Sequence, residues 1–253
     1  MNSFLYSIVA FLLLGAMGMA IANRKESVLI RQQRWMKFGT YVVITAAVLG
    51  SIFFNCLRAV VLIIFSFGIY ELWHTAHKKN GRSNLFFSLF FFALFTFGLW
   101  RFSILFTPSF QLFVYLQVLL FDAFSQIAGQ LFGKHQLVAK ISPAKTVEGV
   151  MGGFSFSIIS SLLLANWLHI SVVAALVLAL ITAVSSFAGD LTASYYKRKM
   201  GVKDFSNFLP GQGGFLDRFD SLLLTGFVYF LLYQLNFFSF LSTQLSVAFI
   251  IAQ

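Results

Sequence analysis

Three of the eight acidic residues in this 253-residue chain, Asp204, Asp217 and Asp220, fall with Lys203 and Arg218 inside one stretch, "KDFSNFLPGQGGFLDRFD", residues 203–220. Asp217 and Asp220 are three positions apart, so on a helix they share a face and can bracket a cation. Asp190, Ser194 and Lys197 stand at i, i+4 and i+7, again one face. Asp122, Ser125, Gln126 and Gly129 make a similar polar stripe. Carboxylate oxygens with a single cysteine in the chain favour a hard cation, Mg2+ before zinc. His74 and His77 at i, i+3 are the weaker alternative ligands. Gly211, Gly213 and Gly214 precede a helix start, where backbone N–H groups and the positive end of the helix dipole attract phosphate. The same reading applies to "KISPAKTVEGVMGG", residues 140–153, in which Pro143 stiffens a turn and Lys145 and Thr146 offer donors ahead of the helix carrying Glu148. Basic donors beside a carboxylate-held metal are the arrangement that stabilises a charged phosphoryl transition state. A Walker-type GxxxxGK[ST] loop is absent.

The elements that must position these groups are membrane helices. Apolar residues make up 59% of the chain, charged residues 10%, and 34 residues are Phe, far from the composition of a soluble domain. About 20 apolar residues cross a bilayer as a helix, and long Phe/Leu/Val runs without strand alternation exclude a β-barrel. The fold class is all-α and polytopic, with about eight spans predicted at 4–22, 39–56, 59–77, 85–105, 110–128, 149–168, 171–191 and 215–235. The apolar tail 238–252 is open as a ninth span or an interfacial helix. Residues 1–253 read as one membrane domain, with N-terminal helices over 1–110 and catalytic helices and loops over 111–235. Cys56 sits in an apolar run and reads as a small buried residue. Of the 18 Lys and Arg residues, all but Arg58 and Arg101 fall on one side of this scheme, which the positive-inside rule makes cytoplasmic. The net charge of +10 is therefore an orientation signal that also favours anionic lipid headgroups, and nucleic acid is excluded as a partner. Glu71, Asp122, Glu148, Asp190, Asp217 and Asp220 then all lie near the cytoplasmic ends of their spans. Intramembrane acids face the bundle interior or a wet cavity, so these spans line one polar pocket at the inner leaflet.

The segment "SYYKRKMGVKDFSNFLPGQGGFLDRFD", residues 194–220, closely resembles the signature of the phosphatidate cytidylyltransferases, or CDP-diacylglycerol synthases, S-x-x-K-R-x4-K-D-x-x-x-x-L-P-G-H-G-G-x-x-D-R-x-D. "FDAFSQIAGQLFGKHQLVAKISPAKTVEG" is similar to the family's D-x-x-A-Y-x-x-G-x-x-F-G-K stretch followed by S-P-K-K-T-x-E-G, and "AGDLTASYYKR" to its G-D-L-x-E-S-x-x-K-R. The likeness covers residues 121–220. It implies an enzyme that converts CTP and phosphatidate to CDP-diacylglycerol and pyrophosphate with Mg2+, in a bacterial inner membrane with its site facing the cytoplasm. A homodimer is among the assemblies open to it.

Carried onto matching positions, the resemblance assigns Asp190, Asp217 and Asp220 to metal binding, with Asp122 as a further contributor. Lys145, Lys197, Arg198, Lys203 and Arg218 would hold the triphosphate and the lipid headgroup. Gly211, Gly213 and Gly214 would admit phosphate to the backbone. Ser142, Thr146, Glu148, Ser194 and Gln212 would shape or bind the substrate loops. The chain departs from the pattern at three positions: Gln212 replaces the His of P-G-H-G-G, Ala144 the first Lys of S-P-K-K-T, and Ala193 the acid of G-D-L-x-E-S. Gln212 can neither shuttle a proton nor carry charge, although phosphoryl transfer rests largely on positioning and electrostatics. These departures mark a divergent member, with a different lipid phosphate as acceptor, or a non-catalytic membrane carrier, as the alternative readings. A carrier fits less well, since its polar site is expected at the midplane.

Overall fold

A computed structural model of the chain describes residues 16, 20, 24, 27–78, 82–206, 208–209 and 213–238. Seven α-helices appear among them: α1 (Val28–Phe53), α2 (Leu57–Lys78), α3 (Arg82–Leu105), α4 (Pro108–Phe132), α5 (Val147–Leu168), α6 (Val172–Lys199) and α7 (Asp220–Gln234). Helices α1 to α6 are long and apolar enough to cross a membrane. The chain is an all-α membrane protein. The predicted span 4–22 and the tail beyond Phe238 lie outside the described residues.

Local sequence sets the helix starts. Thr107 precedes Pro108 and accepts from the N–H of Phe110 at 3.4 Å. Thr146 accepts from Gly149 N at 3.1 Å, and Ser171 from Ala174 N at 3.2 Å. Each hydroxyl satisfies an N–H that a helix start would otherwise leave unpaired. Pro108 sits where its missing N–H costs nothing. Helix α1 starts at Val28, well before the predicted 39, because Arg, Gln and Lys are good helix formers and let the helix run on beyond its apolar part. Cys56, expected to be buried, is exposed in the short α1–α2 connection.

Two further expectations are corrected. Residues 136–146 form a small antiparallel hairpin, β1 (Gln136–Val138) and β2 (Ser142–Thr146), pairing Gln136 with Thr146 and Val138 with Ser142. Residues 215–235 are not one continuous span. A 3-10 turn at Leu216–Arg218 leads into α7, whose 15 residues reach only about 23 Å at 1.5 Å per residue. Asp217 and Asp220 consequently do not share a helix face.

Helices α4 and α5 pack closely because Gly149 and Gly153 are buried in their interface. Helix α6 lies at the centre, touching α4, α5 and α7, while α7 also packs on α3. Away from the acids the core is aromatic, with Phe102, Phe106, Phe110 and Tyr229 stacked edge and face. The Tyr229 hydroxyl pairs with Thr182 at 2.8 Å, which links α7 to α6 deep in the bundle and satisfies a polar group that lipid could not.

Candidate active site

The acids gather where α4, α6 and α7 meet. Asp122 lies ten residues before the end of α4 and Asp190 nine before the end of α6, about 15 Å along each helix at 1.5 Å per residue. Asp220 opens α7. Their approach depends on Gly189, since a Cβ there would stand 2.7 Å from the Asp220 carbonyl oxygen and 3.0 Å from Ser221 Cα. Only glycine lets the start of α7 press against α6 beside Asp190. Asp122 accepts from Ser186 Oγ at 3.0 Å and Ser221 Oγ at 3.5 Å.

Two lysines bring other elements to this pocket. Lys145 Nζ on β2 lies 2.7 Å from Asp190 Oδ2 and over the Phe187 ring. Ser194 donates to Asp190 Oδ1 at 3.3 Å, as the i, i+4 spacing predicted. Lys197 is buried. Its Nζ meets Asp217 Oδ1 at 2.6 Å, while Asp217 Oδ2 accepts from Phe205 N at 3.1 Å and Gly214 N at 2.9 Å. Both oxygens of Asp217 are thus engaged in fastening the loop 203–216 to α6.

Glu71 of α2 completes that fastening, and sequence reasoning placed it in the pocket without a role. It is buried and accepts from Phe215 N and Leu216 N, each at 2.7 Å, and from the Ser206 hydroxyl. Thr75, one turn further on, donates to the Phe205 carbonyl at 2.9 Å. The competition of these two carboxylates for backbone N–H groups explains why residues 216–218 tighten into a 3-10 turn. It also changes the expected use of the glycine turn, because the N–H groups of 214, 215 and 216 are taken by Asp217 and Glu71. Gly213 adopts φ +86° and pairs with Leu209, closing the turn against Asp204. Gly211 and Gln212 lie outside the described residues.

The hairpin is held from both ends. Glu148 accepts from Lys134 N at 3.1 Å, His135 N at 3.2 Å and the His135 ring. Arg198 donates from Nε to the Ile141 carbonyl at 2.9 Å and from its terminal nitrogen to Val202 O at 3.2 Å. Thr146 is occupied in capping α5, and Ser142 begins β2. Lys203 and Arg218 are exposed. His74 and His77 stay apart from the pocket, stacked on Tyr70 and Trp73.

Among the described residues no group of three or more carboxylate, imidazole or thiolate side chains forms a ready metal cage. The donors that do converge are hard oxygens. That suits Mg2+, which commonly takes one or two carboxylates and completes its shell with water and substrate phosphate. Asp122, Asp190 and Asp220 are the residues that could hold it. Beside Lys145, they can bind and orient a polyphosphate.

A sequence model of the cytidylyltransferase family matches residues 2–236. The phosphatidate cytidylyltransferase of Staphylococcus saprophyticus is 45% identical over 114 residues, 44% of this chain and 44% of that protein. That of Haemophilus influenzae is 38% identical over 117 residues, 44% of this chain and 41% of that one. The uncharacterized protein YnbB of Escherichia coli is 42% identical over 110 residues, 43% and 37% of the two chains. The aligned part of this chain spans less than half the length of each of these relatives.

Proposed function

The chain belongs to the cytidylyltransferase family, and from that premise we propose that it is a phosphatidate cytidylyltransferase, converting CTP and phosphatidate to CDP-diacylglycerol and pyrophosphate. The names of the relatives support the substrate pair. The observation that carries the reading is that Asp122 of α4, Asp190 of α6 and Asp220 of α7 are drawn to one place, Asp122 through Ser186 and Ser221 and Asp220 through the approach of α7 at Gly189, with Lys145 paired to Asp190.

In this reading a phosphate oxygen of phosphatidate attacks the α-phosphorus of CTP. A new P–O bond forms, the bond to the β-phosphate bridging oxygen breaks, and pyrophosphate leaves with that electron pair. Phosphatidate arrives as an anion, so the step needs no strong base from the protein, and Gln212 in place of a histidine is compatible with turnover. The protein's part is to align two polyanions and neutralise the charge between them. Lys145, held over Phe187 and against Asp190, is placed to neutralise the leaving pyrophosphate. Lys203 and Arg218 are exposed, and in this reading they would draw in the triphosphate. Lys197 and Arg198 act mainly by fixing the loop and the hairpin, as Glu71, Asp217 and Glu148 do. Ser194 keeps the Asp190 carboxylate in place, and the resemblance of Gly211, Gln212, Gly213 and Gly214 to the family's signature supports a part for them in admitting the nucleotide. A divalent cation, Mg2+ in this reading, would supply charge neutralisation on the phosphate oxygens, and Asp122, Asp190 and Asp220 would hold it, since both oxygens of Asp217 are engaged by Lys197 and the loop backbone. The site faces the cytoplasm of a bacterial inner membrane, as the distribution of Lys and Arg supports.

The test is transfer of label from CTP into lipid by purified protein given phosphatidate and Mg2+. CDP-diacylglycerol is the expected product, abolished by Asp190→Asn. Labelled lipid formed only from a different lipid phosphate would replace phosphatidate as the acceptor.

A further inference from the structure

Next to the carboxylate pocket, on another face of α6, the hairpin turn and the end of α6 border an open cleft of about 680 Å³. Val138, Lys140 and Ile141 line it from the hairpin, and Tyr195, Arg198 and Lys199 from the helix. Asp190, Ser194 and Lys197 point to the inner pocket, whereas Tyr195 and Lys199, at i and i+4, stand side by side on the neighbouring face. The cleft is therefore separate from the pocket that gathers the carboxylates.

Its lining has two characters. Three of the residues are cations and none is an acid. Among the described residues neither Lys140, Lys199 nor Arg198 has a carboxylate partner. Arg198 gives two of its five N–H donors to backbone carbonyls, which fixes the guanidinium without neutralising it. The remaining wall is apolar, from Val138, Ile141 and the half-exposed Tyr195 ring. The neighbouring Leu137 is also exposed. Unneutralised positive charge over an apolar wall, at the end of a membrane-spanning helix, is complementary to one kind of molecule: an amphiphile with an anionic head and a hydrocarbon tail.

We propose that this cleft binds an anionic glycerophospholipid of the surrounding leaflet. The headgroup phosphate lies among Lys140, Lys199 and Arg198, and the upper acyl chain lies along Ile141, Val138 and Tyr195. A soluble nucleotide would leave the apolar wall without a partner, and a zwitterionic lipid would leave the cations without one. Because Arg198 spans the hairpin and α6, an occupant would also brace the hairpin that carries Lys145.

The experiment places the full chain in nanodiscs of phosphatidylcholine doped with phosphatidylglycerol, whose phosphodiester is anionic and is not a phosphomonoester acceptor. Lipid retained by the protein is then read by native mass spectrometry. The wild type should keep phosphatidylglycerol in preference to phosphatidylcholine. Lys140→Ala with Lys199→Ala should weaken that retention about 30-fold, about 2 kcal/mol at 1.4 kcal/mol per decade. Lys140→Arg with Lys199→Arg should restore it. Both lysines are exposed, so the fold tolerates either pair of changes. Equal retention of the two lipids, unchanged retention in the alanine variant, or release of the lipid by CTP or inorganic phosphate at constant ionic strength would each overturn the proposal.

Discussion

Lys145 and Lys197 each pair with an aspartate, yet the two pairs differ in their surroundings and should fail differently. The Lys197–Asp217 pair is buried on both sides, and Asp217 also holds two backbone N–H groups. Removing one member of a buried pair strands the other charge and costs about 3–5 kcal/mol. Lys197→Ala should therefore lower the unfolding midpoint in detergent by several degrees and abolish activity with it. Asp190 keeps 40% of its side chain exposed, so water can accept the charge that Lys145→Ala frees. That variant should stay within about 1 kcal/mol of the wild type in stability while CMP transfer falls by at least about tenfold, a split that parallel melting and turnover measurements would reveal. Glu71 presents a third case, since its two oxygens receive three hydrogen bonds. Glu71→Gln retains one acceptor oxygen and turns an amide NH2 towards N–H donors. An unsatisfied buried donor costs about 1–3 kcal/mol, and the loop that shapes the pocket should loosen. Hydrogen exchange at Phe215 and Leu216 should accelerate in the variant, and unchanged protection would refute the fastening role.

At the level of elements, the pocket depends on how closely α7 starts against α6. Gly189→Ala would place a methyl 2.7 Å from the Asp220 carbonyl oxygen and 3.0 Å from Ser221 Cα, both backbone atoms. Overpacking of this kind costs about 1–3 kcal/mol. The variant should insert and fold but lose most of its CMP transfer, whereas Ala188→Gly next to it should cost little. The elements also mark how far the sequence could be read. The pairing of Ser194 with Asp190 was legible because helical spacing is local. The hairpin was not, since Pro143, which read as a turn residue, stands inside β2, in a strand whose register joins Gln136 to Thr146. The 3-10 turn was hidden for a different reason: Glu71 acts on N–H groups 144 and 145 positions away, and no periodicity encodes that. Lys145 likewise gave no sign that its partner would be Asp190. The apolar composition identified the membrane fold, whereas a single pocket for six acids did not separate Asp122, Asp190 and Asp220 from Glu71 and Asp217, which hold the loop backbone, or from Glu148, which holds the hairpin.

For the molecule as a whole, the orientation in the membrane can be checked with the chain's own cysteine. Cys56 is exposed in the α1–α2 connection, at the opposite end of α2 from Glu71. A membrane-impermeant maleimide should label Cys56 from the periplasmic side. Lys199→Cys, made on a Cys56→Ser background, should be labelled only in inverted vesicles. Labelling of both from one side would contradict the arrangement in which all but two of the basic residues face the cytoplasm. The central claim is the chemistry of the pocket where α4, α6 and α7 meet, and the most direct test is CMP transfer to phosphatidate by the purified full chain. Radiolabelled CTP should yield CDP-diacylglycerol in the wild type, with Asp220→Asn reduced at least about a hundredfold and melting as the wild type does. Full turnover in well-folded Asp220→Asn would contradict the pocket, and absence of any labelled lipid from the wild type with phosphatidate would contradict the proposed function itself.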